Sequence, residues 1–202
     1  MIVVVDYGAG NIASVMNMLR KVGAKAKVSN AVADIAAADK LILPGVGSFD
    51  AGMSKLSNCG LIDVLNTQVL ELKKPILGIC LGAQMLGKSS EEGELPGLGW
   101  VDMDIVRFEP RTGRKVPHMG WNYVKATLEH PILDGLDEAF RFYFVHGYYM
   151  RPNSSGLTLL TADYDQEFTA AVVKKNIVGV QFHPEKSHKF GMALLKNFWE
   201  KC

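Results

Sequence analysis

Four short strand-like runs, each followed by a helix-like segment, limit what this chain can become. Met1–Tyr7, Ala26–Ser29, Lys40–Leu43 and Pro75–Ile79 read as strands. After the first, Ile12, Val15, Met16 and Leu19 recur at helical spacing. An Ala-rich short helix follows the second. Pro44-Gly45 stops the third, and a long helical stretch from about Ser48 to Leu72 then breaks near Gly60. Leu81–Gly87 reads as the helix after the fourth. Continuous apolar strands separated by helices predict a parallel sheet covered on both faces.

The second half is richer in strands. Phe142–Met150, Leu157–Tyr164, Phe168–Lys174 and Ile177–Phe182 fit extended structure, and a closing helix carries the stripe Phe190, Leu194 and Phe198. No repeat, linker or low-complexity tract divides the chain. The expectation is one α/β domain over residues 1–202, with a central mixed, mostly parallel sheet flanked by helices.

Charge and cysteine usage narrow the function classes. With 22 basic and 21 acidic residues and no long basic run, nothing points to nucleic acid or membrane binding. No apolar stretch approaches the ~18 residues that span a bilayer. Met1–Asp6 lacks the basic start and small-residue cleavage site of a signal peptide. The 3 cysteines (Cys59, Cys80 and Cys202) have neither disulfide parity nor zinc spacing. A reduced, cytoplasmic setting follows, with Cys59 and Cys202 read as structural or exposed thiols. His118, His130, His146 and His188 have no metal-ligand spacing either, and read as surface or structural groups.

Cys80 is the exception. Gly78-Ile79-Cys80-Leu81-Gly82 puts it between a buried strand and a helix, with glycines flanking the tight turn of a nucleophile elbow. A thiol there projects from the strand end toward the positive pole of the following helix. A second signal is Val178-Gly179-Val180-Gln181-Phe182-His183-Pro184-Glu185, an apolar strand that ends in a histidine with a carboxylate two residues on. In extended backbone these two face the same side. Glu185 can then orient His183, and His183 can take the proton of Cys80 and return it to a leaving amine. A third, weaker signal is Pro44-Gly45-Val46-Gly47, whose backbone N–H groups at Val46 and Gly47 suit a developing oxyanion, with the N–H of Leu81 as a second donor.

Gly78–Gly82 followed by Gln84, with Phe182-His183-Pro184-Glu185 near the end, resembles the class I glutamine amidotransferases. That family shares a flavodoxin-like α/β fold and needs no metal or other cofactor. The resemblance implies a triad of Cys80, His183 and Glu185, a γ-glutamyl thioester on Cys80, and Gln84 in the glutamine pocket. Asp6-Tyr7-Gly8-Ala9-Gly10-Asn11, Val116-Pro117-His118-Met119-Gly120-Trp121-Asn122 and Tyr143-Phe144-Val145-His146 are further similar to glutaminase subunits of imidazole glycerol phosphate synthase. The partner this implies is a (β/α)8-barrel cyclase in a heterodimer, with Asn11, His118, Trp121 and Lys186 at the interface and His146 and Gly147 beside glutamine. Gly147 departs from the family pattern, which more often has Ser or Thr there.

Other readings remain at this level. Gly8-Ala9-Gly10-Asn11-Ile12-Ala13 matches a dinucleotide-binding turn, but the second strand ends Val28-Ser29-Asn30 without the acidic residue that would bind a ribose. A γ-glutamyl hydrolase or cysteine peptidase would use the same thiol without a partner. An ammonia donor to the synthases of pyridoxal phosphate, anthranilate or purines would share the triad.

Overall fold

The computed structural model of the chain describes residues 1–109, 115–136 and 140–202. The first half alternates as expected. Its elements are β1 (Ile2–Val5), α1 (Ile12–Lys21), β2 (Ala26–Ser29), α2 (Val32–Ala37), β3 (Lys40–Gly45), α3 (Phe49–Asn58), α4 (Ile62–Asn66), β4 (Ile76–Cys80) and α5 (Leu81–Gln84). The expected long helix does break at Gly60, whose φ of +66° suits glycine, and α4 runs on into a π-helical turn over Thr67–Glu71. Two elements differ in extent. Strand β3 continues through Pro44 to Gly45, because Gly45 still pairs with Cys80, and α5 is a single turn rather than two.

The second half holds β5 (Ser89–Ser90), β6 (Met103–Arg107), β7 (His118–Tyr123), β8 (Lys125–Ala126), β9 (Arg141–His146), β10 (Tyr148–Pro152), β11 (Thr158–Asp163), β12 (Glu167–Lys174), β13 (Ile177–Val180) and α6 (His188–Lys201). The run expected as one strand, 142–150, is two. Gly147 turns the chain, so that β9 pairs with β7 in a separate two-stranded ribbon while β10 joins the main sheet. Neither β7, which takes in most of the stretch 116–122, nor β6 has a counterpart in the strands expected from sequence. Isolated from its partner, neither segment carries a long enough alternating pattern to declare itself.

The large sheet runs β2-β1-β3-β4-β13-β12-β10-β6-β5, with β11 paired to β12 and β8. From β2 to β13 every pairing is parallel, and from β13 through β12 and β10 to β6 it is antiparallel. The parallel five follow the strand order of flavodoxin-like doubly wound sheets. Helices cover both faces. Ile2 and Val4 of β1 pack with Val15 and Leu19 of α1 and Leu194 and Phe198 of α6. Val3 and Val5 pack with Ile35 of α2, Phe49 and Leu56 of α3 and Leu65 of α4. Each such side chain contributes about 1.5–3 kcal/mol on burial, which is why β1 tolerates no polar position. Among the described residues no helix is long and apolar enough to cross a membrane.

In open α/β sheets of this order, sites form outside the carboxyl ends of the strands. Gly45 closes β3, Cys80 closes β4, and His183 lies just past β13, three neighbouring strands of the sheet.

Candidate active site

Cys80 sits at the sharp turn from β4 into α5 with φ +53° and ψ −113°, a conformation that L-residues avoid and that close packing must hold. The flanking glycines permit it. A Cβ on Gly82 would stand 1.9 Å from the carbonyl oxygen of Leu43, and one on Gly78 would stand 2.8 Å from Cα of Ala83. The elbow is therefore wedged between β3 and its own helix, with the thiol at the strand end.

His183 and Glu185 follow β13, where the chain leaves the sheet. Nδ1 of His183 and Oε1 of Glu185 are 2.8 Å apart, and both side chains are buried. Pro184 starts a 3-10 turn over Pro184–Lys186 that brings the carboxylate back under the ring. Strand β9 clasps this segment. The N–H of His183 donates to the carbonyl of Tyr143, the N–H of Tyr143 donates to Oγ of Ser187, and that hydroxyl donates to the carbonyl of His183. Beneath it, the rings of Phe142 and Phe182 stack with centroids 3.9 Å apart.

Burial opposes charge on His183, but the neighbouring Cys80 thiol and the Glu185 carboxylate more than offset it and raise the imidazole to about 9. Nε2 of His183 is buried without a partner of hydrogen-bond geometry, as is Oε2 of Glu185. A buried orphan nitrogen beside a thiol is set to exchange a proton with it or with whatever the thiol attacks.

Cys80 and His183 open into a cavity of about 240 Å³ whose lining includes Val46, Gly47, Leu81, Gln84, His146, Gly147 and Lys186. The structure thus brings together the triad residues and every residue expected at the oxyanion or glutamine positions. Three larger grooves, of about 670, 460 and 410 Å³, hold no cysteine, and only the last, on the far side of Glu185 and Lys186, includes a histidine, His188. Gly47 has φ +106°, open to glycine alone, and Val46 beside it is exposed. Gln84 is buried, its amide donating to the carbonyls of Tyr148 and of the Gln181 side chain. A Cβ at Gly147 would meet Val116 at 3.5 Å, an ordinary contact, so nothing in the packing demands glycine there.

Three groups in or beside the cavity were not singled out from the sequence. Among the described residues Glu92 is the one carboxylate lining this cavity, and Oε2 accepts from the N–H of Phe49 at the start of α3, 2.8 Å away. Gln181 points its amide at Sγ of Cys80 from 3.9 Å; its place two residues before His183 in extended backbone was the available clue. The hydroxyl of Tyr7, from the β1 turn, donates to the carbonyl of Pro44 at 2.7 Å, and burial followed by the nearness of Cys80 raises its pKa.

The four residues expected at a partner surface divide. Trp121 is 42% exposed on the outer face of β7 with Met119 (62%) and Tyr123 (56%). Its ring stacks on His188, and Arg141 lies over it. Lys186 is exposed above the ring of Tyr143, and Asn11 is half-buried just before α1. His118 is the correction. It faces inward at 3% exposure, because β7 alternates and positions 118, 120 and 122 share the inner side. The dinucleotide reading also fails locally, since Cβ and Cγ of Pro44 pack 3.0–3.1 Å from where a Cβ on Gly10 would stand. That turn glycine serves close packing.

A thiol on a strained elbow, a carboxylate-oriented imidazole and an adjoining cavity, set on a doubly wound sheet, define a thiol hydrolase or amidotransferase. The model of the family "Glutamine amidotransferase class-I" matches residues 3–202, and the chain belongs to that family. It is 65% identical over 200 residues to imidazole glycerol phosphate synthase subunit HisH 2 of Pseudomonas aeruginosa, covering 99% of each chain. It is 54% identical to the protein of the same name from Methanococcus maripaludis, over 98% of each. Solved structures share the fold at lower identity. One described as a glutamine amidotransferase has a TM-score of 0.72 at 22% identity over 96% of this chain and 98% of that one. One described as PurLQS from Thermotoga maritima has 0.73 at 18%, over 98% and 96%.

Proposed function

We propose that this chain is the glutaminase subunit of an imidazole glycerol phosphate synthase. It hydrolyses glutamine and passes the ammonia to a (β/α)8-barrel cyclase subunit, which makes imidazole glycerol phosphate and aminoimidazole carboxamide ribotide in histidine biosynthesis in the cytoplasm. The observation that carries the chemistry is the buried 2.8 Å contact of His183 with Glu185 beside the Cys80 elbow. The full-length 65% identity to a HisH subunit carries the choice of synthase.

Each residue then has a task. The Cys80 thiolate attacks the side-chain amide carbon of glutamine. The backbone N–H of Leu81 and of the Val46–Gly47 segment meet the oxygen as it gains charge, an interaction worth about 2.7–4 kcal/mol per donor. His183, held by Glu185, gives its Nε2 proton to the departing ammonia and leaves a γ-glutamyl thioester on Cys80. The same nitrogen takes a proton from water, which attacks the thioester and frees glutamate. Glu92 suits the α-ammonium group, and the backbone at Val145–Tyr148 with Gln84 holds the rest of the ligand. Met119, Trp121, Tyr123 and Lys186 offer the apolar and cationic surface on which the cyclase docks, with Asn11 at its margin.

The test is turnover of the assembled synthase with glutamine or with ammonium salt as nitrogen donor. Cys80→Ala is expected to abolish glutamine-driven synthesis and leave ammonium-driven synthesis intact. Glutamine-driven turnover that survives the substitution removes Cys80 as nucleophile, and a chain that releases ammonia without engaging the cyclase removes the proposed partner.

A further inference from the structure

Between β9 and β10 the chain makes the turn His146–Gly147–Tyr148, and all three residues line the cavity. Something must hold that turn, because Gly147 has no side chain with which to brace it. Nδ1 of His146 lies 2.7 Å from the carbonyl oxygen of Tyr148, which can only accept, so Nδ1 carries the proton. In a neutral ring Nε2 is then an acceptor, and Nδ1 of His118 is 3.1 Å from it. His118 must donate there. Its own Nε2 is left to accept from the amide of Asn122, at 3.4 Å, and that amide also donates to the carbonyl of Asp163 at 2.7 Å. Burial holds both rings neutral, with His118 lowered to about 4 and His146 to about 3.

We infer that His118 is a positioning residue for glutamine. By donating to His146 it fixes the Nδ1–H tautomer with which His146 clamps the Tyr148 carbonyl, and so sets the wall of the cavity. The inference rests on the reading that this cavity takes glutamine. The clamp reaches further through the same carbonyl, which also accepts from Gln84 at 3.3 Å. Gln84 in turn donates to Gln181, whose amide points at Cys80. The arrangement is built rather than incidental. The His118 ring is sandwiched between Phe144 and Tyr164, with centroids at 4.9 and 4.1 Å, so it is held in one plane.

Those aromatic neighbours make a clean experiment possible. His118→Phe keeps the sandwich and deletes the donor, whereas the side-chain amide in His118→Asn can present N–H where Nδ1 was. In the complex with the cyclase, His118→Phe is expected to raise KM for glutamine about tenfold, the cost of one buried acceptor left unpaired, and to change kcat little. His118→Asn is expected to recover most of that loss. Ammonium-driven turnover, which bypasses the cavity, reports on folding and assembly. An unchanged KM in His118→Phe overturns the inference, as does an asparagine variant no better than phenylalanine, or a parallel fall of both turnovers at constant KM. A wild-type complex without glutamine-driven turnover would overturn the glutaminase reading instead. In that event nitrogen-15 NMR still tests the clamp: both rings are expected as neutral Nδ1–H tautomers at pH 7, and an Nε2–H signal from His146 refutes it.

Discussion

Single residues here are set against their surroundings and hold because the surroundings leave no alternative. Cys80 keeps a left-handed backbone, and His183 is buried with its charge favoured by two acidic neighbours. The second fact has a pH consequence. With a folded value of about 9, His183 stays protonated through neutral pH and can supply the proton that ammonia needs on leaving. Glutamine-driven kcat/KM of the synthase is therefore expected to fall as pH rises through about 9, while ammonium-driven turnover shows no such limb. Glu185→Gln removes the carboxylate that orients and charges the ring. It is expected to lower glutamine-driven kcat by up to roughly 10⁴, the drop that follows when the orienting acid of a comparable triad becomes an amide, and to move the alkaline limb to lower pH. A limb that stays in place in this variant would mean that another group titrates.

At the scale of elements, the site depends on how closely β3, β4 and α5 approach. Gly82 has the carbonyl of Leu43 where a methyl would go. Gly82→Ala must push α5 away from β3, an overpacking that costs about 1–3 kcal/mol. The expected outcome is a lower denaturation midpoint together with weaker labelling of Cys80 by a glutamine-like electrophile. A variant that unfolds and labels like the parent would show that the elbow has slack. The ribbon of β7 and β9 works differently. It belongs to no larger sheet, and packs its aromatic inner face onto Phe182 while clasping the backbone of His183. One side of the ribbon thus positions the His183 segment, and the other is the exposed face of Met119, Trp121 and Tyr123.

Over the whole molecule, the histidines bracket a pH range of stability. His118 and His146 have folded values of about 4 and about 3, below the ordinary 6.5, so burying them neutral stabilises the fold fully only above about 6.5 and is lost as pH falls toward those values. His183 has the opposite sign. Raised to about 9, it adds stability that is complete below about 6.5 and disappears as pH rises through about 9. Thermal unfolding across pH is expected to show a maximum near 6.5 in this contribution. His118→Phe should flatten the acid limb and Glu185→Gln the alkaline one. If His118→Phe left the acid limb unchanged, His118 would not be among the groups that set it.

Much of the fold was legible because its parallel half is built from local patterns. Each of the first four strands is a compact run followed by a helical segment, and in β1, β3 and β4 burial on both faces writes itself into consecutive apolar residues. The glycine-flanked Cys80 and the His183-Pro184-Glu185 step were legible for a related reason: backbone strain and an i, i+2 relation are properties of neighbours in sequence. What the sequence left open depends on pairings between distant segments. The division of 142–150 into two strands follows from which sheet each half joins, and the strand at 118–123 exists only because β9 lies beside it. Glu92 enters the cavity because the N-terminus of α3 needs an acceptor there. The inward turn of His118 was decided by the register of β7 on β9, where His118 falls opposite His146. A one-residue slip would have sent that ring to solvent and Met119 to the core, and no local property of residues 116–122 distinguishes those two outcomes.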